Sequence, residues 1–94
     1  MLERIANNYR VIMSAVEETD ESSAVVFGRI GCVWTQRAIA RLQEAGYSVK
    51  VAYQDSDSTA KDGLRRQYGR PTVPFIWYNG AYVGGHDELV RRLS

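Results

Sequence analysis

The sequence is short of the residues that do most covalent and metal chemistry, with one cysteine, Cys32, and one histidine, His86, among 94 residues. A lone cysteine cannot close an internal disulfide, which fits a reducing compartment. With no second histidine or cysteine at ligand-like spacing, no metal site built by this chain alone is expected, and the His86 side chain reads as a solvated loop residue. Neither charge sign dominates: 12 Lys and Arg stand against 11 Asp and Glu, without the long basic block of a nucleic-acid footprint. No apolar run approaches the ~20 residues that cross a bilayer. The N-terminal region lacks a continuous signal-like apolar stretch, and Glu3, Glu17, Glu18 and Glu21 argue against an organelle presequence, which is typically poor in acids. The expectation is a soluble cytoplasmic protein whose partners are small molecules or proteins, not nucleic acid or membrane. Internal repeats, low-complexity segments and linkers are absent, and the length suits a single domain over residues 1–94 with one modest core.

What is present is strong periodicity. Leu2, Ile5, Tyr9, Ile12, Met13 and Val16 recur at steps of three and four, which predicts a helix over about residues 2–17, within an N-terminal segment 1–18. The polar stretch 18–23 ends it, and residues 24–27 read as a short buried strand. Beyond Cys32, the spacing of Thr35, Ala38, Ile39, Leu42 and Ala45 sets the apolar face of a helix that Gly46 closes. Val49 and Val51 alternate with Lys50 and Ala52 up to Tyr53 as a second strand, so strand, helix and strand form a parallel βαβ unit. Ser58 ends a polar turn and can cap a helix over residues 59–68, stopped by Gly69. Residues 72–78 and 81–83, joined by Asn79-Gly80, carry the pattern of an antiparallel hairpin. A last helix opens after Gly84-Gly85, with acids at Asp87 and Glu88 and bases at Arg91 and Arg92, as the helix dipole favours. The element order α-βαβ-α-ββ-α is an α/β fold: a four-stranded mixed sheet flanked by helices.

Cys32 stands where the first strand stops and the second helix begins. A helix N-terminus offers unpaired backbone N–H groups and about half a positive charge, both favourable to an anion. Arg29, three residues upstream, adds a cation. Such surroundings lower a cysteine pKa below its free value of about 8.5, so a partly ionised nucleophile is expected here rather than core filler.

The set Phe27-Gly28-Arg29-x-Gly31-Cys32-x-x-Thr35-Gln36-Arg37-Ala38, Thr72-Val73-Pro74 and Gly84-Gly85-x-Asp87 resembles the glutaredoxins, of thioredoxin-like fold, over residues 24–93. The resemblance implies a cis bond between Val73 and Pro74 that leaves the Val73 backbone free to pair with the cysteinyl part of glutathione as an added strand, with Thr72 in the same loop. It implies that Arg29 engages the glycine carboxylate, with Lys61 as a further contact on the following helix. At the γ-glutamyl end, the backbone N–H groups at His86 and Asp87, after the Gly85 turn, would take the carboxylate. The Asp87 side chain would take the ammonium, serve as an N-cap, or do both. Trp34, where the family commonly has tyrosine, keeps an aromatic wall beside the sulfur.

Many glutaredoxins carry Cys-Pro-Tyr-Cys, whereas this chain has Cys32-Val33-Trp34-Thr35. Threonine cannot attack a mixed disulfide, so the pattern implies a monothiol mechanism. In it, Cys32 reduces protein–glutathione or small mixed disulfides and a second glutathione, the cosubstrate, regenerates it. Two roles are open to Thr35: a hydrogen bond to the thiolate, or a cap for the first helical turn. Two alternatives stand beside this reading. In one, a pair of chains holds a [2Fe–2S] cluster through both Cys32 thiolates and two glutathione thiolates. In the other, the chain is a binding module that has lost turnover. The expected partners are glutathione and glutathionylated or disulfide-containing proteins, met by a monomer. Phe75, Trp77 and Tyr78 make one strand unusually aromatic, and any ring left outside the core would form a patch for a protein partner.

Overall fold

Uninterrupted apolar runs such as Ala24-Val25-Val26-Phe27 and Phe75-Ile76-Trp77 are what a strand needs when both of its faces are covered. They form the middle of the sheet. In a computed structural model, which describes residues 1–54 and 59–94, the elements run β1 (Leu2–Arg4), α1 (Tyr9–Glu17), β2 (Ser23–Gly28), α2 (Val33–Glu44), β3 (Ser48–Tyr53), α3 (Thr59–Tyr68), β4 (Phe75–Tyr78), β5 (Ala81–Gly84) and α4 (His86–Leu93). The strands order as β1-β3-β2-β4-β5. β1 and β2 both lie parallel to β3, while β4 is antiparallel to β2 and β5 to β4. This is the expected mixed sheet, with one strand more. The turn proposed to end at Ser58 lies outside the described residues.

The extra strand corrects the N-terminal helix. Residues 2–4 do not join α1; they pair in register with Val49, Lys50 and Val51 along the outer edge of β3. Asn8 decides the boundary. Its backbone is extended, at φ −141°, and its side chain accepts from the N–H groups of Arg10 at 3.0 Å and Val11 at 3.2 Å, so the helix begins at Tyr9. Ile5 still packs against the core, but from the end of an edge strand, with its N–H donating to the Val51 carbonyl at 2.9 Å. The three-four spacing therefore reflects a helix from Tyr9 onward and a coincidence before it. Leu2 is exposed, and the neighbouring Glu3 and Arg4 give this short edge the charges that discourage further strand pairing.

Side-chain alternation splits the core into two. Val25, Phe27, Ala52, Phe75 and Trp77 face α1 and α3, whereas Ala24, Val26, Val49, Val51 and Ile76 face α2 and α4. The aromatic strand spends its rings inside: Phe75 and Trp77 are fully buried and Tyr78 half-buried, so no ring patch forms there. Asn79 and Gly80, at φ 53° and 72°, make the two-residue turn of β4 and β5 that Asn-Gly favours. The C-terminal ends of β2 and the start of β4 meet where Phe27 pairs with Phe75. The loops leaving that end carry Cys32 and Pro74.

Candidate functional site

Cys32 is delivered by a turn and a cap. Its N–H donates to the Arg29 carbonyl at 3.1 Å across Ile30 and Gly31, and Gly31 takes the left-handed conformation, φ +79°, that this turn requires at its third position. Cys32 itself is extended and occupies the N-cap of α2, its carbonyl accepting the N–H of Gln36 at 3.1 Å. The residue is only 7% exposed, more covered than its loop position suggested.

That burial pushes the Cys32 thiol up, and the donors around it more than reverse the effect. The backbone N–H and the side chain of Thr35, then the N–H of Trp34 and the Arg29 side chain, bring it down from 9.0 to about 7. The neutral thiol makes no capping hydrogen bond, so this stabilisation belongs to the thiolate. The helix N-terminus outweighs the nearby arginine here, a reversal of emphasis with a simple cause: fixed backbone donors are already aimed, whereas the Arg29 side chain is exposed to water.

Thr35 is fully buried and holds two loops together. Its Oγ1 accepts the N–H of Arg29 at 3.3 Å, so beyond its effect on Cys32 it pins the turn that carries the sulfur. Gly28 makes room for it. A Cβ at Gly28 would lie 2.2 Å from Thr35 Cγ2 and 2.5 Å from its Oγ1, which no side chain tolerates.

Beside α2 a cleft of about 280 Å³ brings together six of the residues singled out from the sequence: Trp34, Thr72, Val73, Pro74, His86 and Asp87. The Val73–Pro74 bond is cis. Val73 lines the cleft, and among the described residues no backbone hydrogen bond ties it to the sheet. Trp34 forms one wall, with the Arg37 guanidinium 5.0 Å from its ring centre and the His86 ring 5.3 Å away. His86 is thus not the solvated loop residue expected: its side chain is 17% exposed, its ring set at a tilt of 51° against that of Trp34. Its Nδ1 approaches Asp87 Oδ1 at 3.5 Å, short of hydrogen-bond geometry, while the Asp87 side chain itself is 80% exposed. Arg29, Cys32, Thr35, Lys61 and Gly85 are not in the cleft lining; Arg29 and Thr35 act on the sulfur, Gly85 caps α4, and Lys61 sits half-buried on α3.

Two lining residues escaped the sequence reading. Arg70 donates through Nε to the Thr72 carbonyl at 2.9 Å and through Nη1 to Glu88 Oε1 at 3.3 Å, tying the Pro74 loop to the start of α4. Glu88 Oε1 also accepts the N–H of Gly85 at 2.6 Å, and its Oε2 takes Arg91 at 3.3 Å. A Cβ at Gly85 would stand 1.9 Å from Arg70 Nη2, so a side chain there would push the guanidinium out of this place. A glutamate three residues after an N-cap is a capping signal that could have marked Glu88. Nothing local marks Arg70, whose partners are distant in sequence.

A covered, acidified thiol at a helix start beside a cis-proline loop is the constellation of a thiol oxidoreductase on a thioredoxin-like fold. Comparisons with known proteins make it specific. The glutaredoxin family model matches residues 24–83. Glutaredoxin-C2 of Arabidopsis thaliana is 30% identical over 79 residues, 81% of this chain and 71% of that protein. Among solved structures, the holo form of glutaredoxin C1 from Populus tremula x tremuloides superposes with a TM-score of 0.71 at 28% identity, over 87% of this chain and 85% of that one. A buckwheat glutaredoxin–glutathione complex shares the fold at a TM-score of 0.76, with 21% identity over 86% of this chain and 74% of that one. The chain belongs to the glutaredoxin family, glutathione-related thiol oxidoreductases. Of the four thiolates that a [2Fe–2S] cluster requires this chain supplies one, Cys32, so a second chain and two glutathiones would have to supply the rest.

Proposed function

We propose that this protein is a monothiol glutathione-dependent oxidoreductase that reduces protein–glutathione and small mixed disulfides through Cys32. The observation that carries the reading is the pairing of a thiol held at about 7 with a buried threonine three residues on, where a resolving thiol would have to stand. Near neutral pH about half of Cys32 is thiolate, close to the optimum for an attacking sulfur.

The Cys32 thiolate attacks the glutathionyl sulfur of the mixed disulfide. The substrate S–S bond breaks, the substrate sulfur leaves as a thiolate and takes a proton from water, and a Cys32–glutathione disulfide remains. With no second thiol in the chain, a free glutathione thiolate attacks the glutathionyl sulfur of that adduct. Oxidised glutathione departs and Cys32 returns to the thiolate, so two electrons pass from two glutathiones to one disulfide.

The cleft supplies binding for the tripeptide. The Val73 backbone pairs with its cysteinyl unit in the manner of an added strand, flanked by Thr72 and Pro74, and Trp34 covers it. The N–H groups at the start of α4, at His86 and Asp87 after Gly85, receive the γ-glutamyl carboxylate, and the exposed Asp87 carboxylate receives the ammonium. Arg29 serves the glycine carboxylate as well as the sulfur, and Lys61 adds a peripheral cation. The protein acts as a monomer in a reducing cytoplasm, where one unpaired cysteine stays reduced.

Mass measurement tests the cycle. Oxidised glutathione should add one glutathione to Cys32, and reduced glutathione should remove it. Turnover of a glutathione mixed disulfide should vanish in Cys32→Ser. An adduct that reduced glutathione leaves in place would make the protein a binding module instead.

A further inference from the structure

The exposed large apolar side chains fall into two groups. Met1, Leu2, Tyr9 and Val11 lie near the N-terminus, and Ile30, Val33 and Trp34, between 47 and 53% exposed, lie within two residues of Cys32. The second group rings a sulfur that is itself covered. Charge adds a direction. From Arg29 to Gln43 the chain has three arginines, Arg29, Arg37 and Arg41, and no carboxylate. Arg37 lies over Trp34, and Arg37 and Arg41 line a shallow recess that runs along α2 from His86 to Glu44. The carboxylates across the cleft do not cancel this field evenly. Glu88 is already paired with Arg70 and Arg91, leaving Asp87, which the glutathione reading uses for an ammonium.

We propose that this rim, Ile30, Val33 and Trp34 backed by Arg37 and Arg41, docks the protein part of the substrate, and that it selects a segment whose glutathionylated cysteine is flanked by an apolar residue and by acidic residues. The inference rests on the oxidoreductase reading and names its substrate class. Glutathione fills the cleft, which Trp34 bounds, so the polypeptide must leave past Trp34 and outside the cleft, where Ile30 and Val33, which do not line it, are exposed. An apolar neighbour covers Val33 and Ile30. Acidic neighbours meet Arg37 and Arg41, whose field speeds encounter and rejects basic segments. A second copy of this chain is the poorer occupant, since it would bring the same cations to the same place.

Binding separates this proposal from the catalytic one. In Cys32→Ser, which cannot exchange, the affinity of a glutathionylated peptide with apolar and acidic flanks is compared by fluorescence anisotropy with that of a twin whose acids are lysines. The acidic peptide should bind on the order of 10-fold more tightly, and the advantage should shrink at high ionic strength. Adding Arg37→Glu with Arg41→Glu should abolish or invert the preference, and the milder Arg37→Gln with Arg41→Gln should reduce it if the charge reversals fail to fold. With Cys32 intact, neither pair should slow reduction of a small neutral mixed disulfide of glutathione and mercaptoethanol. Equal binding of the two peptides, or a preference untouched by both pairs, would overturn the proposal. So would displacement of the peptide by phosphatidylserine vesicles, which would assign the rim to a lipid surface, or peptide-competed self-association, which would assign it to a second copy. If the small disulfide is not reduced by the wild-type protein, the catalytic reading fails while the peptide preference still decides this one.

Discussion

On the face of the sheet under α1 and α3 the core is made of rings, with Phe27, Phe75 and Trp77 buried and Tyr68 and Tyr82, stacked on each other, packed beside them; under α2 and α4 it is aliphatic, from Ala24 and Val26 to Ile39, Leu42 and Leu89. Tyr68 also accepts the indole N–H of Trp77 at 3.2 Å, so even the polar atoms of the ring face satisfy one another. Cys32 caps a helix of the other side. α2 and α4 pack there, and their first turns meet through Trp34 and His86, which puts two helix N-termini at one cleft. One face supplies bulk and the other supplies positioned donors. The same strands build both, so substitutions on the two faces should separate stability from reactivity.

The largest effect should come from the ring face. Trp77→Ala removes a fully buried indole and should cost about 3–5 kcal/mol in denaturant unfolding, yet leave the Cys32 titration near 7 in whatever protein remains folded. A displaced thiol pKa in that variant would mean that the two faces are coupled.

Next is the pH dependence of the thiol face. Because folding lowers the Cys32 value from 9.0 to about 7, the thiolate contributes stability that is complete above the unfolded value and is lost as pH falls through about 7. The stability of wild type relative to Cys32→Ser should therefore rise by about 2 kcal/mol between pH 7 and 9. A flat difference across that range would remove the thiolate from the energetics. Alkylation of Cys32 should follow the folded-state thiolate fraction instead, with its midpoint at about 7 and a plateau above that.

Thr35→Val should act on the same face with less force. It keeps the buried volume, removes Oγ1, and leaves the Arg29 N–H without its acceptor, at a cost of about 1–2 kcal/mol. The Cys32 titration should move up toward 9.0, read from thiolate absorbance, and the attack rate at neutral pH should fall accordingly. An unshifted titration would assign Thr35 to the loop alone. Smallest of all should be Leu2→Asp on the exposed edge strand, within about 0.5 kcal/mol and without effect on the thiol.

Much of this architecture was legible from local pattern. The βαβ unit, the Asn79-Gly80 hairpin, the helix over residues 59–68 and the helix after Gly85 depend on periodicity and turn chemistry that neighbours in sequence express. The edge strand was not legible, because three exposed residues have no burial pattern and pair only because β3 offers them an open side. The same holds in the site. Cys32, Trp34, Pro74 and Asp87 stand at element junctions that motifs mark. Arg70 gains its role from Thr72 and Glu88, and His86 gains its ring contact from Trp34.

By itself the sequence determined that Cys32 is its one thiol and that a threonine stands three residues on, since both depend on residue type alone. The tertiary structure decided how strongly that sulfur is acidified and which side chains share its cleft. Those properties depend on the aim of N–H groups at a helix start and on the approach of α2, α4 and the Pro74 loop, distances that no stretch of chain specifies locally.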